Sequence, residues 1–483
     1  MSYQGPREEC GVFGVWAPGA DVARVTFFSL YALQHRGQES AGIATTDGNR
    51  VFLHRGLGLV TQAFKEDSLK PLAGPMAIGH TRYSTMGSPS LRNAQPFVLQ
   101  TLMGPLGVAH NGNLTNASHL RQIVLQRGAG LSTSSDTELI LQMLASPGQV
   151  LGNAATWHER IRALIDVAEG AYSIVVMTRD GIYAARDQHG FRPLCIGELS
   201  YGDGRTGLVV ASESCALETI GARYVREIEP GEIIRIGEDG LKSWRSEQSP
   251  IKPAMCIFEY VYFARPDSLL EAQSVHLIRQ RFGEQLAREA PIDADVVVGA
   301  PDSALPAAIG YARVSGLQYT EGLTKNRYIG RTFIQPDESL RRDTVRLKYN
   351  PLRANLEGKR VVLVDDSIVR GSTAGPLVRL IRDVGAKEVH VRVSSPPVKH
   401  PCFMGVDLGT HDQIIGAQKS VSEICEHIGA DSLAYLSHEG MINAVRRDLD
   451  QGAGHCSACF SGQYPLEVSA HALKASFEDI SGQ

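Results

Sequence analysis

The sequence has no long hydrophobic run, no strong excess of charge of either sign and few cysteines for its length. None of its apolar stretches approaches the roughly 20 residues that a membrane-spanning helix needs. The formal net charge of −4 gives no basic excess that would attract a phosphate backbone, which argues against nucleic acid as the main partner. Eight cysteines in 483 residues are too sparse for a disulfide scaffold. We therefore expect a cytoplasmic globular protein of about two to four domains.

The pattern of predicted elements changes near residue 250. Before this point, short β-type runs broken by Gly and polar turns alternate with helical patterns, which favours an α+β domain. Two of these stretches, AYSIVVMTRDGIYAARD and GEIIRIGEDGLKSW, are typical of hairpins with Asp-Gly turns. Later Val- and Leu-rich runs are followed by a loop and a helix, which indicates an α/β domain with a mainly parallel sheet. The sequence therefore predicts a leader, two domains and a tail, over residues 1–9, 10–245, 250–450 and 451–483.

The stretch VVLVDDSIVRGST places two carboxylates, Asp365 and Asp366, at the carboxyl end of a predicted buried strand. Ligands of parallel α/β sheets bind at this end of the strands, and the helix start that follows can hold a phosphate. The carboxylates can contact a sugar diol or a divalent cation, and can stabilise a developing oxocarbenium charge. The residues alone leave open the alternative that the acidic pair only caps the helix.

The same stretch resembles the phosphoribosyl diphosphate (PRPP) signature of type I phosphoribosyltransferases. The resemblance implies a PRPP site formed by Asp365, Asp366, Ser367, Arg370, Gly371, Ser372, Thr373, Lys325 and Arg327. It also implies that Ser303, in a Pro-Asp-Ser loop after VVVGA, joins the two aspartates in holding one magnesium ion per subunit. Lys325, Arg327 and Arg331 stand in GLTKNRYIGRTFIQP, a basic loop that is expected to order over bound PRPP.

Cys10 stands in CGVFG behind nine polar, Pro- and Gly-containing residues. A thiol nucleophile needs a base, and an α-amino group with a pKa of about 7.7–8 serves better at neutral pH than a lysine. Cys10 carries such an amine only if the Glu9–Cys10 bond has been broken. We therefore interpret residues 1–9 as a propeptide, and the alternative is a structural cysteine behind a frayed start.

Five motifs occur in the order found in class II glutamine amidotransferases, which are N-terminal-nucleophile hydrolases: CGVFG, LQHRGQESAGIA, GHTRYST, HNGNL and SSDTEL. The resemblance implies an αββα domain with Cys10 as the nucleophile. Asn111 and the Gly112 N–H would form the oxyanion hole. The residues assigned to glutamine are Arg82 for the α-carboxylate, Asp136 for the α-ammonium, and Arg36 near the nucleophile.

Four cysteines of the second half, Cys256, Cys402, Cys456 and Cys459, are candidate metal ligands. Spacing alone does not separate zinc from an iron–sulfur cluster, because both accept four thiolates, and buried unligated thiols are also common. The tail stretch CSACFSGQYP resembles the cluster-binding tail of the iron–sulfur branch of glutamine PRPP amidotransferases, a branch that also carries a propeptide. The resemblance implies one structural 4Fe–4S cluster per subunit on these four residues.

Together the two halves resemble a glutamine PRPP amidotransferase. The resemblance implies that glutamine is hydrolysed at Cys10 through a thioester and that ammonia passes internally to C1 of PRPP. The products would be 5-phosphoribosylamine, glutamate and pyrophosphate, in the first step of de novo purine synthesis. A homotetramer inhibited by purine nucleotides is implied as well. Two alternatives are a glucosamine-6-phosphate synthase, which would not explain VVLVDDSIVRGST, and a PRPP-binding transcriptional regulator, which would not need a glutaminase.

Overall fold

The structure, a computed structural model, describes residues 10–83, 90–146, 155–202, 204–245, 252–326, 347–449 and 454–467. The predicted leader and the two arginines Arg327 and Arg331 lie outside the described residues. The strands of the N-terminal half are β1 (Gly11–Trp16), β2 (Ser40–Thr46), β3 (Val51–Leu57), β4 (Met76–Arg82), β5 (Phe97–Thr101), β6 (Gly104–Leu114), β7 (Gly170–Thr178), β8 (Gly181–Arg186), β9 (Cys195–Tyr201), β10 (Arg205–Ala211), β11 (Arg223–Glu227), β12 (Ile233–Gly237) and β13 (Gly240–Trp244). Its helices are α1 (Val22–Ala32), α2 (Val60–Ala63), α3 (Glu66–Leu69), α4 (Ala117–Gln126), α5 (Asp136–Ala145), α6 (Trp157–Val167) and α7 (Ser214–Thr219), with a 3-10 turn at Leu91–Asn93.

Two antiparallel sheets pack face to face in the described part of the N-terminal half. One runs in the order β11-β9-β10-β1-β4-β2-β3 and the other in the order β13-β12-β8-β7-β6-β5. Apolar side chains from both sheets, among them Val12, Ile78 and Val175, are fully buried between them. Helix α1 covers the outer face of the first sheet, and α4, α5 and α6 cover that of the second. This layering confirms the αββα arrangement that the motifs imply.

The strands that the structure describes in the C-terminal half are on average shorter than those of the N-terminal half. Its strands are β14 (Met255–Cys256), β15 (Leu269–Leu270), β16 (Gln273–Ser274), β17 (Val296–Gly299), β18 (Gln318–Tyr319), β19 (Leu323–Lys325), β20 (Tyr349–Pro351), β21 (Arg360–Asp365), β22 (Glu388–Val393), β23 (Ser432–Tyr435) and β24 (His455–Cys456). Its helices are α8 (Val275–Glu289), α9 (Leu305–Ser315), α10 (Arg353–Leu356), α11 (Ala374–Asp383), α12 (Ile415–Gln418), α13 (Val421–Ile428), α14 (His438–Arg446) and α15 (Ala458–Ser461), with a π-helical turn at Glu259–Phe263 and a 3-10 turn at His411–Gln413. Among the described helices of both halves, none has the length and apolar character that would let it cross a bilayer.

A parallel sheet forms the centre of the C-terminal half. In the residues that the structure describes, its strands run in the order β18-β17-β21-β22-β23, and every neighbouring pair is parallel. Val361 and Leu363 of β21 pack with α11 and α13, whereas Val362 and Val364 pack with α8 and α9. Helices therefore cover both faces, which confirms the predicted α/β domain. Because Gly299 lies opposite Val364, the loops that follow β17 and β21 start side by side.

Residues 454–467 of the tail are packed into the C-terminal half. Strand β24 pairs in parallel with β14, so that Cys456 lies opposite Cys256. The ring of Phe460 stacks on that of Phe258 with 5.8 Å between their centroids. The two ends of this half, which are far apart in sequence, therefore form one buried cluster.

Candidate active sites

Cys10 lies immediately before β1, a central strand that pairs with β4 on one side and β10 on the other. Its side chain is buried, and the thiol donates a hydrogen bond to the Tyr83 carbonyl oxygen at 3.4 Å. Burial raises the pKa of Cys10 to about 11, and neither the hydrogen bond with Tyr83 nor the charge of Arg82 outweighs it. At neutral pH this thiol is protonated, so it reacts as a nucleophile only if a base stands close by.

Asn111 and Gly112 lie near the end of β6, beside the end of β4. The two strand ends are joined by a contact between His80 Nε2 and the His110 carbonyl oxygen at 3.0 Å. The side chain of Asn111 is 1% exposed, and its Nδ2 has no hydrogen-bond partner among the described residues. Leaving such a donor buried without an acceptor costs about 1–3 kcal/mol. Asn111 Nδ2 is therefore a donor that an oxygen atom of a bound ligand can satisfy.

Gly112 occupies a position that only glycine fits. Its φ is 146°, in the region that L side chains avoid. A Cβ atom at this position would lie 1.9 Å from the carbonyl oxygen of Ala171 on the adjacent strand β7. The absence of a side chain allows the backbone of β6 to approach β7 where the predicted oxyanion donor stands.

Arg82 and Asp136 bring opposite charges to the surroundings of Cys10. Arg82 ends β4 and is 3% exposed, and its Nη1 lies 3.8 Å from Glu39 Oε2. Asp136 begins α5, where Oδ2 accepts a hydrogen bond from the Leu114 N–H at 3.3 Å. Burial raises the pKa of Asp136, but the charge and hydrogen bond of His110 and the backbone N–H donors together lower it. Both charges act on the Cys10 thiol, where Arg82 lowers the pKa and Asp136 raises it.

Arg36 lies at the junction of the two halves. Its Nη2 donates to Glu259 Oε2 at 2.5 Å and its Nη1 to Glu259 Oε1 at 3.3 Å, while its Nε donates to Glu213. The next residue, Gly37, packs on the backbone of Arg82, since a Cβ there would lie 2.6 Å from the Arg82 nitrogen. A direct contact of Arg36 with glutamine stays a prediction.

The second predicted site lies at the carboxyl end of β21. The Asp366 N–H donates to Asp365 Oδ1 at 2.9 Å, and the carboxylate of Asp366 accepts hydrogen bonds from the hydroxyls of Ser367, at 2.7 Å, and Ser303. Burial and the charge of the neighbouring Asp366 raise the pKa of Asp365, and burial also raises that of Asp366. Because burial and mutual repulsion disfavour two negative charges side by side, these carboxylates favour the binding of a cation or of a group that develops positive charge.

The loop between β21 and α11 holds the other predicted PRPP residues, namely Ser367, Arg370, Gly371, Ser372 and Thr373. Gly371 has a φ of 74°, and a Cβ there would lie 2.9 Å from Ile415 Cδ1. Lys325, at the end of β19, pairs with Asp302 in the loop that also carries Ser303. The structure thus brings together the residues of this site that it describes.

Comparison with known proteins decides which family these two sites define. A glutamine amidotransferase domain matches residues 80–219 and a phosphoribosyl transferase domain matches residues 267–395. The amidophosphoribosyltransferase of Synechococcus elongatus is 50% identical over 96% of this chain and 92% of its own length, and that of Synechocystis sp. is 51% identical over 96% and 92%. The chain belongs to the amidophosphoribosyltransferase family.

A solved amidophosphoribosyltransferase shares the fold of both halves. The glutamine PRPP amidotransferase from B. subtilis, described as complexed with ADP and GMP, gives a TM-score of 0.88 at 44% identity and covers 97% of this chain and 100% of its own. The presence of a phosphoribosyl transferase domain excludes a glucosamine-6-phosphate synthase, and the amidotransferase domain excludes a PRPP-binding regulator without a glutaminase.

The four candidate ligand cysteines of this amidophosphoribosyltransferase lie in one neighbourhood. Cys256 and Cys456 face each other on β14 and β24, and Cys459 is one helical turn further along the tail. Burial raises the pKa of Cys459 well above its usual value, and the other three thiols raise it further. The Met404 N–H donates to Cys402 Sγ at 3.3 Å. None of the eight cysteines is in a disulfide, and no group of three or more His, Cys, Asp or Glu in the described ranges is arranged to hold a metal ion.

The motifs did not indicate Arg279, which the structure places behind the PRPP site of the amidophosphoribosyltransferase fold. It lies on α8, buried, and donates to the carbonyl oxygens of Tyr260 at 2.7 Å and Ala264 at 2.8 Å. Burial lowers the pKa of Arg279 to about 10, although the charge of Asp366 acts to raise it. One feature of the sequence could have pointed to Arg279: it follows Ile278 on the apolar face of an amphipathic helix, where a charge needs a buried partner.

Proposed function

We propose that this enzyme forms 5-phosphoribosylamine, glutamate and pyrophosphate from glutamine, PRPP and water, as the first step of de novo purine synthesis. The observation that carries this proposal is the presence of both sites in one chain. A buried thiol lies near the charges of Arg82 and Asp136 in the N-terminal half. A pair of buried carboxylates ends a parallel strand in the C-terminal half.

Glutamine hydrolysis takes place at Cys10 after residues 1–9 have been removed. The freed α-amine takes the thiol proton, Sγ attacks the amide carbon of glutamine, and the oxygen of the tetrahedral intermediate accepts hydrogen bonds from Asn111 Nδ2 and the Gly112 N–H. The α-amine returns the proton to the leaving nitrogen, ammonia departs, and water then hydrolyses the thioester to glutamate and the free Cys10 thiol. Each oxyanion donor contributes about 10²–10³ in rate. Arg82 and Asp136 hold the α-carboxylate and the α-ammonium.

Ammonia reaches the transferase site through the protein interior, since in water at neutral pH most of it would become the non-nucleophilic ammonium ion. It attacks C1 of PRPP, and pyrophosphate leaves from the same carbon. Asp365 and Asp366 stabilise the positive charge that develops on the ribose ring. The loop residues Arg370 and Thr373, with Lys325, bind the phosphate groups.

Ser303, Asp365 and Asp366 would hold a magnesium ion, because hydroxyl and carboxylate oxygens are the donors that this cation prefers. When bound, the ion offsets the negative charge of the diphosphate. The hydrogen bond from Ser303 to Asp366 supports this proposal, since it shows that the two strand ends reach each other.

We also assign the four clustered cysteines, Cys256, Cys402, Cys456 and Cys459, to a 4Fe–4S cluster. The donor chemistry supports this assignment, because four thiols from three segments, none of them in a disulfide, match the ligand type of such a cluster, and the Met404 N–H bonds to Cys402 Sγ. When bound, the cluster supplies four iron–sulfur bonds that tie the tail to the body of the C-terminal half.

The oligomeric state and the regulation that we propose are those expected for the amidophosphoribosyltransferase family. We assign a cytoplasmic homotetramer that is inhibited by purine nucleotides. The cysteines without disulfides support a reducing compartment. The B. subtilis relative, which is described as complexed with ADP and GMP, supports nucleotide control.

The test of the proposed function is the coupling of the two half-reactions. Purified protein supplied with glutamine and PRPP should release glutamate and pyrophosphate in equal amounts, and ammonium salts at alkaline pH should replace glutamine in the release of pyrophosphate. Fructose 6-phosphate in place of PRPP is the control. Glutamate release that depends on fructose 6-phosphate, or no pyrophosphate with either nitrogen source, would overturn the proposal.

A further inference from the structure

The strand that carries the oxyanion donors is tied to the other half of the molecule. Asn113 follows Gly112 on β6, and its Nδ2 donates to the carbonyl oxygen of Phe403 at 2.9 Å. Phe403 belongs to a loop, residues 402–405, of the C-terminal half. The next carbonyl of this loop, that of Met404, accepts a hydrogen bond from the guanidinium of Arg192, a fully buried residue of the N-terminal half.

The same loop also touches the oxyanion strand through its backbone. A Cβ atom on Gly405 would lie 3.5 Å from the carbonyl carbon of Gly112 and 3.4 Å from Asn113 Cβ. On its opposite side Gly112 abuts Ala171 of β7, where even a methyl group has no room. Gly112 therefore lies between β7 and residues 402–405.

This arrangement matters because oxyanion donors act only at short range. They must lie about 2.7–3.1 Å from the oxygen that develops charge. A misplacement of about 1 Å can cost about 10²-fold in rate. The bond from Asn113 to Phe403 joins the two halves one residue after Gly112 and two after Asn111.

We infer that Asn113 is a positioning residue for glutamine hydrolysis, which acts by anchoring the Asn111–Gly112 segment to residues 402–405 of the C-terminal half. A loop from the transferase half thus holds the oxyanion segment of the glutaminase half in place. This loop begins at Cys402, so the thiol site and the oxyanion segment share one short stretch of backbone. The inference rests on the proposed role of Asn111 and Gly112.

The test replaces Asn113 by aspartate, which keeps the volume but removes the donor that faces the Phe403 carbonyl. We expect kcat for glutamine hydrolysis to fall between about tenfold and 10²-fold, with the KM for glutamine changed by less than about twofold, because Arg82 and Asp136 keep their places. Iron per chain should equal that of the parent protein. The matched control is Asn116→Asp, since Asn116 Nδ2 donates to the Val167 carbonyl, also at 2.9 Å, but within the N-terminal half. Its kcat should stay within about twofold of the parent.

A double-mutant cycle separates this inference from the proposed function. In an Asn111→Ala background, Asn113→Asp should cost clearly less than it does alone, because the donor that it positions is gone. If Asn111→Ala has no effect on kcat, the proposed oxyanion hole itself is wrong. The positioning role is wrong if Asn111→Ala lowers kcat but Asn113→Asp leaves kcat unchanged or raises only the KM. It is also wrong if the effects of the two substitutions on kcat multiply fully, or if the Asn113→Asp protein loses iron.

Discussion

The clearest consequence of the N-terminal site is that blocking the nitrogen of Cys10 should abolish most glutamine hydrolysis. Two chains provide a matched pair: one begins Met-Cys10, from which host aminopeptidase removes the methionine, and the other begins Met-Ala-Cys10 and retains the alanine. They differ by one residue. In the first chain Cys10 carries a free α-amine, and in the second its nitrogen is a peptide nitrogen.

The expected size of the effect follows from the burial of the thiol. With a pKa of about 11, Cys10 is ionised in only about one molecule in 10⁴ at pH 7 when no base assists it. A free α-amine, with a pKa of about 7.7–8, is neutral in a substantial fraction of molecules at the same pH and can accept the thiol proton. Positioned general bases contribute about 10²–10⁴ in rate, so kcat for glutamine hydrolysis should fall by that factor in the alanine-blocked chain.

The two chains should also differ in how the rate of glutamine hydrolysis depends on pH. The reaction needs the thiol to lose its proton, so residual activity of the blocked chain should rise about tenfold per pH unit and continue to rise toward the pKa of about 11. The free chain should instead level off once its amine is deprotonated, above a pH of about 8. Glutamate release measures both, and pyrophosphate release with ammonia as the nitrogen source verifies that the transferase half is intact. A blocked chain that hydrolyses glutamine within about threefold of the free chain would refute the α-amine as the base.

Three further predictions concern the rest of the molecule. Gly112→Ala should destabilise the protein by more than about 1 kcal/mol in urea unfolding, because its Cβ would overlap the Ala171 carbonyl oxygen; unchanged stability would contradict the described packing. Asp366→Asn should lower ammonia-dependent pyrophosphate release by about 10²-fold or more while glutamine hydrolysis measured without PRPP persists, and equal loss of both activities would indicate misfolding instead. Cys456→Ser should reduce bound iron from about four atoms per chain. The control Cys425→Ser should keep the iron, because the Cys425 thiol donates a hydrogen bond to the Ala430 carbonyl and is not a candidate ligand. Iron retained in the Cys456→Ser protein would remove Cys456 from the ligand set.

Much of the fold follows from local patterns in the sequence. The Asp-Gly turns place β7 against β8 and β12 against β13, as predicted, with Thr178 opposite Gly181 and Gly237 opposite Gly240. The continuous Val-Leu runs correspond to β17 and β21 of the parallel sheet, because strands buried on both faces have no polar alternation. The motifs GHTRYST and HNGNL lie at the ends of β4 and β6, and SSDTEL lies at the start of α5, while the roles of their residues stay predictions.

Contacts between the halves could not be predicted from the sequence. The pairing of Arg36 with Glu259 and the bond from Asn113 to Phe403 each join residues more than two hundred positions apart, and no periodicity or spacing connects them. The burial of Arg279 beside Asp366 is hidden for a similar reason. An isolated helix pattern shows that a charge stands on the apolar face but not which group it meets.

The short pairing of β14 with β24 has a consequence for how the protein is made. Cys256 leaves the ribosome when the C-terminal half has barely begun, but its neighbour Cys456 is among the last described residues to be synthesised. The two thiols therefore stay apart until the roughly two hundred residues between them have been synthesised. A nascent or prematurely terminated chain that lacks Cys456 keeps Cys256 without this neighbour, so the four cysteines come together only after the segment that carries Cys456 and Cys459 has been made.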